Sequence, residues 1–86
     1  MTSLQDEALL DDWLGLAGYL AEAVTADDVT VDAARAELAA AATGVAEQRA
    51  LTRAAEIATT QLGAESLVAS LLQWAASHAV AAAEVA

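Results

Sequence analysis

Cysteine, proline, phenylalanine, lysine and asparagine are all absent from this 86-residue chain. The absence of cysteine excludes disulfides and thiolate metal sites. Alanine dominates, and strong strand formers are sparse apart from valine and threonine. Because alanine is the best helix former, the composition predicts an all-α protein. An alanine-rich chain that uses arginine, glycine, valine and aspartate in place of lysine and asparagine is also typical of a GC-rich bacterial gene.

The length fits one small domain, predicted to span residues 1–86. Domains of this size are only marginally stable alone. Alanine side chains bury little area, and burial contributes roughly 25 cal/mol per Å² of apolar surface. The core must therefore rest on a few larger side chains and on close helix approach. These considerations predict a homodimer.

Hydrophobic periodicity predicts a small antiparallel bundle of about four helices, because the connections between them are short. Thr30 is the expected N-cap of the second helix, and Gly63 is placed just past the end of the third. The predicted helices span about 4–24, 31–43, 45–62 and 64–84.

Gly44 is the ambiguous point in this pattern. Thr-Gly is a weak stop signal, and Gly44 with Glu47 approximates a capping arrangement, so we expect a break there. The alternative is a fused second and third helix of about 48 Å, which favours a helical-hairpin dimer.

Negative charge is concentrated in the first third of the chain. Eight acids and no base occur up to Asp32, whereas five acids and three arginines follow, for a net charge of −10. Such a chain repels free nucleic acid and anionic membranes and attracts basic proteins. The alternative interpretation is a solvated acidic face that keeps an alanine-rich bundle soluble.

Gly15 and Gly18 lie inside the first predicted helix. Each costs about 1 kcal/mol of helix stability relative to alanine. We therefore expect another helix to approach closely at this pair.

Candidate interaction residues come from three groups: acids of helix 1, large apolar residues that serve as contact anchors, and two arginines that share one face of helix 3. The arginines are expected to pair with the acids of helix 1, in the same or another subunit. The alternative interpretation of each tryptophan is an ordinary core residue. The candidates are Asp11, Asp12, Trp13, Leu16, Leu20, Arg49, Arg53 and Trp74.

No catalytic, cofactor or metal site is predicted from the residues. His78 is the only histidine, and no second ligand stands at the spacing that a helical metal site needs. Its ring is expected to pack beside Trp74.

The stretch LGAESL, residues 62–67, resembles the Leu-Gly-Ala-Asp-Ser-Leu signature of acyl carrier proteins. The resemblance implies a phosphopantetheine arm on Ser66. It covers six residues, and Glu65 stands where carriers prefer aspartate. Carriers have about one helix before the serine and two after it, whereas here one predicted helix follows. A carrier or small-ligand-binding domain is therefore the alternative function.

The acidic N-terminus lacks the basic region of a secretory signal. An uncharged run from Ser66 to Ala83 contains Gln73 and His78, which argue against a membrane span. The stretch DDWL, residues 11–14, resembles small actinobacterial helical domains. Together these features predict a cytoplasmic, non-enzymatic protein–protein interaction module, such as an adaptor, accessory subunit or inhibitor. The expected partner is another protein, with a basic one attracted by the net charge, or the chain itself, and neither nucleic acid nor membrane.

Overall fold

The computed structural model describes the backbone of residues 4–85 and the side chains of residues 7–78. This part of the chain contains no strand and forms a small all-α four-helix bundle, which confirms the predicted fold class. Residues 1–3 and 86 of the predicted domain lie outside the described residues. The helices are α1 Leu4–Thr25, α2 Val31–Ala41, α3 Val45–Leu62 and α4 Leu67–Val85.

The break at Gly44 separates α2 from α3, so the alternative of one fused helix is wrong. Ala42 leaves the helical region with φ −84° and ψ 76°, and Gly44 is extended with φ −145° and ψ 172°. Gly44 has no side chain with which to cap α3. The Glu47 carboxylate folds back over Gly44, since a Cβ built there would lie 2.5 Å from its Oε2, so Glu47 takes the position that the expected arrangement gives it. Helix α2 also ends two residues earlier than expected, at Ala41.

The other two predicted helix ends are confirmed. The Oγ1 of Thr30 accepts a hydrogen bond from the Ala33 amide at 3.1 Å, which satisfies a free donor of α2. Gly63 follows α3 with φ +90°, a region that side chains disfavour. Helix α4 begins later than expected because a turn intervenes, in which the Ser66 amide donates to the Gly63 carbonyl at 3.1 Å.

The core is built from alanines and a few leucines. Helices α3 and α4 share the most extensive contact in the bundle. Their buried faces carry mostly alanine, which lets the two backbones approach closely. The largest fully buried side chains are Leu20, Leu38, Leu51, Leu71 and Leu72.

Helix α4 is the centre of the arrangement, because it packs against each of the other three helices. Helix α2 packs on α4 and on α1. It makes at most marginal contact with α3 among the described residues, although only three residues separate the two helices. The short connection between α2 and α3 predicted that these two helices pack side by side. Instead, the chain changes direction after Ala41, so that α2 packs on α4 and α1.

Helices α1 and α3 pack together and run in the same direction. The Trp13 indole N–H donates to the Glu47 carbonyl at 2.9 Å, which joins the middle of α1 to the start of α3. Further along α1, Gly18 and Thr25 border Leu67 at the start of α4. The end of α3 lies at that same end of the bundle, since only residues 63–66 separate it from α4.

Over the described residues, none of the helices combines the length and the apolar character needed to cross a membrane.

Candidate interaction surface

The inner face of α1 is part of the core. Trp13 is 4% exposed, and Ala17 and Leu20 are buried beside it. The indole N–H of Trp13 is satisfied by the Glu47 carbonyl, as a buried tryptophan requires. Burial leaves Trp13 and Leu20 no surface to offer a partner, which corrects their selection as contact residues. The alternative interpretation of Trp13 as an ordinary core residue is confirmed.

The outer face of α1 is open from Asp11 to Glu22. Asp11, Gly15, Tyr19 and Glu22 follow one another at helical spacing, and all four are exposed. Tyr19 is 68% exposed. A Cβ added at Gly15 or at Gly18 would have no neighbour within 4 Å. The expected close approach of another helix at the two glycines is therefore not made within the described part of the chain.

Every described acid in the first third of the chain is exposed. Among described side chains, the one ion pair is between Arg35 and Asp32, at 3.8 Å. Asp32 is 95% exposed, so this pair contributes little. We name as the acidic surface the seven residues Glu7, Asp11, Asp12, Glu22, Asp27, Asp28 and Asp32.

Two acids of the acidic surface follow the carboxyl end of α1, which is an unfavourable place for negative charge. The Asp28 amide donates to the Ala23 carbonyl at 2.8 Å and the Asp27 amide to the Val24 carbonyl at 3.1 Å, which is a Schellman motif. Asp27 has φ +64°, where glycine is usual. Both carboxylates also stand at the negative end of the α1 dipole, where acids are destabilising. Local stability does not explain these two acids.

Arg49 and Arg53 lie exposed on the outer face of α3, where they line a shallow recess with Val45, Thr52 and Glu56. Neither guanidinium lies within 4.0 Å of a carboxylate among the described side chains. The expected pairing with α1 is therefore not made inside the described part of the chain. Pairing with another subunit stays a prediction.

A second aromatic group lies between α2 and α4. The rings of Trp74 and His78 are stacked with centroids 3.7 Å apart, which confirms that His78 packs beside Trp74. The Arg35 guanidinium lies 5.6 Å from the centre of the Trp74 ring, a cation–π contact that the sequence did not predict. Trp74 and the candidate Leu16 are both half-buried, so each keeps some accessible surface.

Ser66 is half-buried and directly precedes α4. Its carbonyl accepts from the Ser70 amide at 2.9 Å, so it stands at the first turn of that helix. This is the local position that the carrier resemblance implies.

The Nδ1–H of His78 donates a hydrogen bond to the Trp74 carbonyl at 2.9 Å. In the described part of the chain, no group of three or more His, Asp or Glu side chains is placed to hold a metal.

Tyr19 is the surface residue that the sequence reasoning missed. The signal was present, because Tyr19 lies off the stripe formed by Trp13, Leu16 and Leu20 and on the same side as Gly15. Helical periodicity alone therefore places it toward solvent.

The chain matches no protein-family model, and no curated protein and no solved structure shows significant similarity to it. The residues and their geometry are thus the basis for a functional proposal.

Proposed function

We propose that this chain is a protein–protein interaction module without catalytic activity of its own, and that its acidic surface binds a basic protein. The observation that carries the proposal is the exposure of all seven acids, with a single weak ion pair among the described side chains. Unneutralised charge of one sign steers an oppositely charged partner and accelerates association. An adaptor, accessory subunit or inhibitor role is compatible with this chemistry.

Two features support the acidic surface as a binding site rather than only a solubility device. Asp27 and Asp28 are placed where acids destabilise the end of α1, and local violations of this kind are common at functional sites. Tyr19 adds an exposed aromatic ring to the same helix. Aromatic rings are frequent contact anchors and attract the guanidinium groups of a basic partner.

The test is native mass spectrometry of the protein purified from its own host. We expect a co-purifying basic chain with the wild type, and its loss with Asp11→Asn/Asp12→Asn or with Asp27→Asn/Asp28→Asn. The matched control is Glu37→Gln/Glu65→Gln, which removes the same charge from exposed residues outside the acidic surface. Equal recovery with all variants, or no basic chain with the wild type, would contradict the proposal.

Association kinetics with the purified partner give a second measurement. The association rate is expected to fall as salt rises for the wild type and for the control. For Asp11→Asn/Asp12→Asn the rate is expected to be lower and its salt dependence flatter. Unchanged rates in this variant would exclude electrostatic steering.

We also propose that the module self-associates, since its core is small and alanine-rich. The carrier-like alternative at Ser66 stays a prediction, because no geometry beyond the position of Ser66 favours it. An added mass on Ser66 in the same native spectrum would establish it. The cytoplasmic location and the bacterial source also stay predictions.

A further inference from the structure

We propose that the groove between the end of α1 and the start of α4 takes apolar side chains from a basic, amphipathic segment of the partner protein. This proposal rests on the proposed binding of a basic protein. It adds the place where the partner docks and the kind of side chain that it inserts. We name this feature the α1–α4 groove, and the residues that line it are Gly18, Ala21, Glu22, Thr25, Ala26, Leu67 and Val68.

The floor of the α1–α4 groove is apolar. Ala21 is buried, whereas Leu67 and Val68 are half-buried, so the last two pack against the core and still reach the surface. The hydroxyl of Thr25 donates to the Ala21 carbonyl at 2.9 Å, so its one donor is used within α1. The groove has a volume of about 470 Å³, which lies within the range of ligand pockets. Apolar contact is therefore the main interaction that the floor offers.

The missing side chain of Gly18 keeps this groove open. A Cβ added at Gly18 would have no neighbour within 4 Å, so packing inside the described part of the chain does not require glycine there. Glycine also weakens a helix interior relative to alanine. Because Gly18 lines the groove, a longer side chain at this position would occupy it. The glycine thus enlarges the groove and weakens the helix that carries it.

Acidic side chains surround the α1–α4 groove. Glu22 lines it directly. Asp27 and Asp28 follow Ala26, which is also a lining residue, and the hydrogen bonds of their amides to α1 carbonyls hold both acids at the end of that helix. Glu65 stands just before the start of α4. All four acids are exposed, so the rim of the groove carries charge of one sign.

Charge decides which partner fits this groove. Among the described residues, none of the three arginines lines it, because Arg35 lies against Trp74 and the other two line a recess on α3. A concave apolar surface that is rimmed by one sign of charge focuses the electrostatic potential and attracts the opposite charge. An amphipathic basic helix presents both required groups, since its apolar residues recur at helical spacing beside its basic ones.

The same arrangement gives Asp27 and Asp28 a role that local stability does not. At the carboxyl end of α1 they weaken the helix, but they stand beside the groove, where the basic side chains of a docked segment would pass. Apolar side chains of that segment would meet Leu67 and Val68. The groove therefore joins the exposed acids and the apolar floor in one binding site.

The experiment compares two synthetic helical peptides with the same number of arginines. One carries leucines at positions i, i+3, i+4 and i+7, and the other carries glutamines there, which keep a similar helix propensity. Fluorescence anisotropy of the labelled peptides measures their binding to the full purified chain. The leucine peptide is expected to bind about tenfold more tightly, the factor for partial burial of one apolar side chain. The ratio should persist at high salt, because screening weakens only the charge contribution.

A pair of glycine variants tests whether this preference belongs to the groove. Gly18→Gln fills the groove with a polar side chain and is expected to remove the difference between the two peptides. Gly15→Gln is the matched control, because it makes the same substitution on the same helix outside the groove, and it should leave the difference unchanged. A Cβ at either position has no neighbour within 4 Å, so both variants are expected to fold, which circular dichroism checks.

Equal affinities of the two peptides for the wild type would overturn the proposed groove and leave the binding of a basic protein intact. A difference that survives Gly18→Gln, or that disappears in both glycine variants, would have the same meaning. Failure of both peptides to bind would contradict the proposed function and, with it, the docking site. A dimer of the chain alone that Gly18→Gln dissociates and Gly15→Gln does not would assign the groove to a second copy and overturn the proposal.

Discussion

The inner and outer faces of α1 share one helix and differ in almost every other respect. The inner face buries Trp13, Ala17 and Leu20, whereas the outer face exposes Gly15 and Tyr19. The first face lowers the free energy of the fold. The second contains glycine where alanine would be better and ends in acids where a helix disfavours them. The helix stability of α1 is therefore supported by its inner face and reduced by residues of its outer face and its carboxyl end.

The largest loss of stability is expected from removing the largest side chain of the inner face. Trp13→Ala is expected to lower the free energy of unfolding by about 3–5 kcal/mol, because it leaves a large cavity between α1 and α3. Urea denaturation followed by far-UV circular dichroism measures this loss. The matched control Trp13→Phe keeps most of the ring and loses the bond to Glu47, with an expected loss of about 1–2 kcal/mol. A loss below about 1 kcal/mol for Trp13→Ala would contradict the burial of this face.

Adding a side chain on the outer face is expected to raise the free energy of unfolding. Gly15→Ala should raise the free energy of unfolding by about 1 kcal/mol, because the added Cβ has no neighbour within 4 Å and alanine favours the helix. The control is Gly63→Ala, which is expected to lower it by a similar amount, since φ is +90° there. Thermal unfolding compares the two. Destabilisation by Gly15→Ala at monomeric concentrations would mean that this face is packed.

Substitutions at the carboxyl end of α1 are expected to have a smaller effect on stability. Asp27→Gly is expected to stabilise by about 0.5–1 kcal/mol, because it relieves the positive φ and removes a carboxylate from the negative helix end. Asp27→Asn removes only the charge and should give a smaller gain that disappears at high salt. Chemical denaturation at low and high salt separates the two contributions. A stability loss in both variants would show that the Asp27 carboxylate supports the fold.

The smallest stability effect is expected from the acids themselves. Asp11→Asn/Asp12→Asn should change the free energy of unfolding by less than about 0.5 kcal/mol, because both side chains are exposed. The same variant is expected to impair binding of a basic partner. A stability change above about 1 kcal/mol would assign these acids to the fold instead.

Much of the fold was predictable because its signals are local. Thr30 as a cap, Gly63 as a terminator and the break near Gly44 follow from side-chain and backbone preferences within a few residues. The neighbourhood of Trp74 and His78 was likewise predictable, since residues four apart share a helix face. The contact of Arg35 with Trp74 was not, because it joins two helices that are distant in sequence.

The candidate site was predictable only in part. Helical periodicity separates Asp11 from Trp13, and it also places Tyr19 with the solvent-facing residues. It does not distinguish Trp13 from Trp74, since both lie on apolar stripes. The first is buried against α3, while the second is half-buried beside α2. Their different surroundings depend on helix packing and not on either local sequence.

The sequence by itself determined the four helices, their caps and the concentration of acids before Asp32, because these depend on composition and on interactions within one or two turns. Tertiary structure decided that α2 packs on α4 instead of α3. It also decided which large side chains are accessible. The physical reason is that such contacts join residues far apart in the chain, as Trp13 and Glu47 are at a separation of 34, and no local preference specifies them.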